Sequence, residues 1–162
     1  VSIAPTYSVP DSRFILALIA SPIITSLGLL ALTVVFLALQ PTLVLLLPAG
    51  KEGLDEAVLV LPVAQLIAGL SPVFGGLQYL FFGGVALWVY LQNNPARPLA
   101  CALLMLAVNG LVTAGIYLLG HPEFGEFCLR LGSFFAPLWG LVFALLYDRS
   151  LKRAAKTKAK KA

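Results

Sequence analysis

The sequence predicts an all-α integral membrane protein: four transmembrane helices in a compact bundle, with a hydrophobic re-entrant or flap-like segment between helices 1 and 2. Three observations carry this expectation. Of 162 residues, 60% are hydrophobic and 11% charged, and mean hydropathy is +0.96. A water-soluble domain carries about a quarter charged residues, and a disordered chain is far less apolar. Charge-free runs long enough to cross a bilayer recur along the chain. Finally, nine of the eleven basic residues fall at Arg13, at Arg97 and in the tail, all on one side if there are four spans, which agrees with the positive-inside rule.

The first span is expected over residues 14–40, with Asp11 and Arg13 just ahead of it. Pro22 removes one backbone hydrogen bond, and the hydroxyls of Thr25 and Ser26 are positioned to serve the freed group. Residues 1–13 lack a basic region followed by a short apolar core, so no cleavable signal peptide is expected and the first span acts as its own insertion signal. Residues 41–71 hold two apolar pieces, 41–48 and 57–70, around a turn with Lys51, Glu52, Asp55 and Glu56. Each piece is short of a full span and contains or abuts proline. This predicts a flap or re-entrant element packed on the bundle or on a partner.

The remaining spans are expected over 73–92, 98–119 and 127–147. The Asn93–Pro98 turn is short, making the second and third spans antiparallel neighbours. With four spans, Arg13, Arg97 and the tail share one side, while Lys51 faces the other with Glu52, Asp55, Glu56, Glu123 and Glu126. Both termini are therefore expected to be cytoplasmic, in a bacterial cytoplasmic membrane. A five-span alternative, with 57–73 as a separate span, moves Arg13 to the wrong side and leaves an uncharged turn at Phe74–Gly76. Residues 1–148 read as one membrane domain and 149–162 as a basic cytoplasmic tail, expected to be disordered. Its Arg149, Lys152, Arg153, Lys156 and Lys158 suit anionic lipid headgroups. No recognition fold or interleaved aromatics accompany the basic cluster, so nucleic acid is not an expected partner.

Small residues recur at helical spacing. Gly132, Ala136, Gly140 and Ala144 form a four-residue repeat; Gly110 and Ala114, with Ala107, do so in the third span, and Gly76 and Gly84 in the second. Such stripes let helix backbones approach closely, within the bundle or across a subunit interface.

Ionisable groups inside spans are scarce. Arg130 lies about one turn inside the fourth span, with Glu126 placed for an i,i+4 ion pair. Together with Asn109, Thr113 and Gln78 these are the candidates for contact with a ligand or lipid. Cys101 and Cys128 form no CxxC motif and are expected to be free, small apolar residues. His121 is the sole histidine, and its spacing from Glu123 and Glu126 matches no metal motif. No catalytic set, cofactor motif or metal site is evident.

The inventory therefore points away from an enzyme and towards a small accessory or scaffold subunit that packs with a larger membrane complex or with itself. The first alternative is a binder or transporter of lipid or small apolar molecules that uses Arg130 at the outer interface. The second is a membrane enzyme with its site in the outer loops. A narrow channel past Asn109 and Thr113 is a lesser alternative.

Overall fold

The computed structural model describes residues 11–46, 58, 66 and 76–160. Every regular element among them is helical. Helix α1 is Asp11–Leu46, α2 covers 76–93, α3 is Pro98–Leu118 and α4 is Pro122–Ala159. α1, α3 and α4 are each long and apolar enough to cross a membrane. α2 is composite: Tyr79–Gly83 is a π turn between α-helical Gly76–Gln78 and Gly84–Asn93, closed by the Gly84 N–H donating to the Tyr79 carbonyl.

Local chemistry sets the turns. Arg97 is extended because Pro98 follows it, and that proline opens α3, where its missing N–H costs nothing. α3 ends in a Schellman motif: His121 N–H bonds Ile116 O at 3.2 Å and Gly120 N–H bonds Tyr117 O at 3.0 Å. Gly120 supplies the required positive φ of 82°. Two residues later, Pro122 begins α4, so α3 and α4 run antiparallel and make the most extensive helix contact among the described residues.

Two neighbouring stripes on α4 organise the bundle. Gly132, Ala136, Gly140 and Ala144 face α3, and a Cβ on Gly140 would lie 2.5 Å from the Cys101 carbonyl oxygen and 2.7 Å from Met105 Cγ. Phe135, Trp139, Phe143 and Tyr147, also four apart and all buried, meet α1 and α2. Phe14 of α1 packs edge-on to Phe143 (5.3 Å between centroids) and Tyr147 (6.3 Å), while Tyr79 of α2 packs edge-on to Trp139 at 5.0 Å. α2 meets α1 where Gly84 faces Leu18: a Cβ there would stand 2.9 Å from Leu18 Cδ2.

Several boundaries and faces differ from the sequence reading. α1 does not stop at Gln40 but continues through Pro41 to Leu46, so the first part of the 41–71 segment extends the helix and forms no separate flap. Helices that expect lipid or protein around them tolerate internal proline when the freed carbonyl finds another donor. At Pro22 that donor is the preceding side chain: Ser21 Oγ donates to Leu18 O at 3.0 Å, the carbonyl that an N–H at residue 22 would have used. Thr25 instead donates back to Ser21 O at 2.7 Å. The remainder of the re-entrant expectation lies outside the described residues, apart from the isolated positions 58 and 66.

Nor is the basic tail disordered as far as Ala159; α4 runs on without a break. Its Leu, Ala, Lys and Arg residues favour helix, Lys152 pairs with Asp148 at 2.6 Å, and basic groups suit a helix C-terminus. Arg149, Lys152, Arg153 and Lys156 are all exposed along one stripe. The Lys158 side chain lies outside the described set.

The small stripe of α3 lies on the side turned away from the bundle. Ala107, Gly110 and Ala114 are exposed, because Cys101, Met105, Asn109 and Thr113 occupy the buried side. Among the described residues nothing lies within 4 Å of a Cβ placed on Gly110 or on Gly76.

Gly140→Val should therefore lower stability by about 1–3 kcal/mol through overpacking, while Gly110→Ala should stay within about 0.5 kcal/mol of the parent. Unfolding of both variants in mild detergent checks the contrast.

Candidate functional site

Among the described residues, two groups of buried polar side chains join helices. The first joins α1 to α2: Ser21 Oγ lies 2.7 Å from the Tyr79 hydroxyl. Ser21 has one proton and gives it to the Leu18 carbonyl, which can only accept, so Tyr79 O–H donates to Ser21 Oγ. Tyr79 opens the π turn, a feature often found at functional positions. The turn thus begins on a side chain fixed at its tip by Ser21 and along its ring by Trp139.

The second group lies between α2, α3 and α4. Asn109 is 4% exposed, with its amide against Gly132, where any Cβ would collide with it. Gln78 Nε2 donates to Asn109 Oδ1 at 3.2 Å. Three buried polar atoms have no hydrogen-bond partner among the described residues: Asn109 Nδ2, Thr113 Oγ1 and Trp139 Nε1. Asn109 and Trp139 line a partly open cavity of about 40 Å³, together with Gln78, Tyr79, Met105 and Phe135.

The sequence-derived candidates are only partly brought together. Gln78 and Asn109 meet. Thr113 is buried one turn further along α3 and does not line the cavity. Arg130 pairs with Glu126 on the outer surface of α4, with 78% and 54% of their side chains exposed, away from the cavity. His121 is exposed, and no group of three metal-ligating side chains occurs among the described residues. Both cysteines are free.

Sequence reasoning missed Trp139, Tyr79 and Ser21. The four-residue spacing of Phe135, Trp139, Phe143 and Tyr147 would have marked the aromatic side of α4, since it runs beside the small-residue stripe that the same periodicity reveals.

Among the described residues, fold and site together show a helical protein with three helices long and apolar enough to cross a membrane and a cavity bordered by Gln78, Asn109 and Trp139. No known protein family, curated protein or solved structure matches this chain.

The hydroxyl arrangement at Pro22 gives a specific expectation. Tyr79→Phe should cost about 0.6 kcal/mol, the average for a hydrogen bond between membrane helices. Ser21→Ala should cost more, because it also strips the donor from the Leu18 carbonyl. In a Pro22→Ala background, whose restored N–H takes that carbonyl, the Ser21→Ala penalty should shrink towards that of Tyr79→Phe. A double-mutant cycle on detergent stability reads this coupling. Arg130→Ala, by contrast, removes an exposed pair and should change stability by less than about 1 kcal/mol.

Proposed function

We propose that this chain is a four-span integral membrane subunit that assembles with a partner protein through the far half of α1, with both termini in the cytoplasm of a bacterial cell. At about 27 Å, α2 is at the short end of the spanning range and serves as the fourth span. The basic residues of α4 beyond Tyr147 then lie at the cytoplasmic surface, where each contributes about 1 kcal/mol of attraction to anionic lipid.

The observation that carries this reading is the length and exposure of α1. Its contacts with the bundle cluster near its N-terminal third, at Phe14, Ala17, Leu18, Ser21 and Thr25; beyond these only Thr33 is buried. The charge-free part, residues 14–46, is about 50 Å long at the helical rise, against about 30 Å of hydrocarbon. Hiding it by tilt alone needs about 53°, whereas transmembrane helices tilt between about 0 and 40°. An apolar end, Leu43–Leu46, is left over after Gln40, Pro41 and Thr42, with Leu45 81% and Leu46 69% exposed. Contact with another protein, or with the apolar residues that follow, removes that surface from water. Arg130 gives no comparable support to the ligand-binding alternative, since it already pairs with Glu126 on an open surface.

The test is gentle purification by a tag on the C-terminal tail, with a photo-activatable residue replacing Leu45, Val35 or, as a control, Leu103 on the outer face of α3. Positions 35 and 45 should cross-link to one stoichiometric protein, either a distinct chain or a second copy, and position 103 should label lipid. Isolation as a monomer whose α1 positions label only lipid overturns the reading.

A further inference from the structure

The cavity between α2, α3 and α4 is bordered by two side chains that carry unpartnered hydrogen-bond donors, in a largely apolar wall. We infer that it is a binding site for the carbonyl oxygen of an apolar membrane molecule, either a quinone ring or the acyl ester of a glycerolipid. Trp139 is 3% exposed and Asn109 4% exposed, so both are more than nine-tenths buried. The Trp139 Nε1 and Asn109 Nδ2 atoms have no partner among the described residues, yet both side chains line the same cavity. An indole nitrogen donates only, so Trp139 calls for an acceptor whatever the orientation of the amides. Leaving a buried donor unsatisfied costs about 1–3 kcal/mol, so an acceptor at this place has a clear role.

The chemistry of the wall selects the acceptor. Water entering the cavity brings two protons of its own, which then need acceptors. Most of the lining is apolar or aromatic: Met105, Val108, Leu131 and Phe135 among others. A carbonyl oxygen brings lone pairs and no proton, and so serves the indole and amide N–H groups without drawing on the few acceptors of the wall, the Gln78 and Asn109 oxygens and the Tyr79 hydroxyl. The space, about 40 Å³ and partly open, admits such a polar head while the apolar remainder of the molecule stays outside among lipid. Small residues keep the place free: Gly132 leaves room for the Asn109 amide, and Ala136 lies beside it in the lining. Gln78 holds Asn109 by its oxygen, which leaves the amide nitrogen as the available donor.

The full-length protein tests this with Trp88→Phe, a change at a half-exposed site that leaves Trp139 as the sole tryptophan. It is reconstituted into vesicles of phosphatidylcholine with either ester-linked or ether-linked chains, the latter lacking carbonyls. A short-chain benzoquinone is then titrated while Trp139 fluorescence is followed. Saturable quenching in ether vesicles supports the site and identifies the quinone source. A shift of Trp139 emission between ester and ether vesicles, without saturable quenching, supports it with the lipid ester as source. In either case Asn109→Leu should weaken the response about five-fold, the equivalent of one hydrogen bond near 1 kcal/mol. Quenching that rises linearly with quinone content, with identical emission in both lipids, overturns the inference and leaves water or the chain's own groups as the occupant. Saturation is read on the parent fold, so the result stands even if Asn109→Leu fails to fold.

Discussion

At Gly140 the backbones of α3 and α4 meet with no side chain between them, and the rest of the bundle is arranged around that approach. Lipid tails are as apolar as leucine, so burial of apolar side chains alone does not drive helices together in a bilayer; close packing and interhelical hydrogen bonds do. The small-residue stripe of α4 provides the packing against α3, and it places Gly132 opposite Asn109. The adjacent aromatic stripe then turns towards α1 and α2, where Phe143 and Tyr147 receive Phe14, and Trp139 receives Tyr79. One helix with two faces thus positions the other three.

The second constraint is the satisfaction of buried polar groups, which is strict where water is scarce. Pro22 breaks one backbone bond in α1, Ser21 serves the carbonyl it frees, and Tyr79 completes Ser21 from α2. A local defect in one helix thereby becomes a contact between two. The same accounting at Asn109 and Trp139 leaves two N–H donors without a partner among the described residues, on side chains that border a cavity. The contrast between a closed account at Ser21 and an open one at Trp139 is what distinguishes a packing contact from a place where a ligand can bind.

Much of this was legible in the sequence, for identifiable reasons. The all-helical class followed from hydropathy and scarce charge, and the position of α3 followed from the short turn that ends in Pro98; the start of α4 did not, since a span was expected only from 127 and the helix begins at Pro122. The ion pair of Glu126 with Arg130 followed from helical spacing. Other features depend on partners distant in sequence. No local signal says that Pro41 is tolerated, because that depends on what surrounds α1. Asn109 and Gln78 each read as a buried amide in search of a partner, and nothing short of the packing showed that they pair with each other. Nor does small-residue spacing tell the two placements apart: the stripe of α4 packs within the bundle, while Gly110 and Ala114 face away from it. The basic tail was judged by charge alone, although its Leu, Ala, Lys and Arg content favours a helical continuation.

The central claim is that the far half of α1 is seated on protein and not wholly on lipid. Its most direct measurement is the oxygen accessibility of a nitroxide label placed at each position from 27 to 46, with the protein in its native membrane. The account predicts a helical periodicity in which one side of α1 is shielded from oxygen beyond Thr33, continuing through Leu43–Leu46. Uniformly high accessibility around the whole helix over that stretch would contradict it.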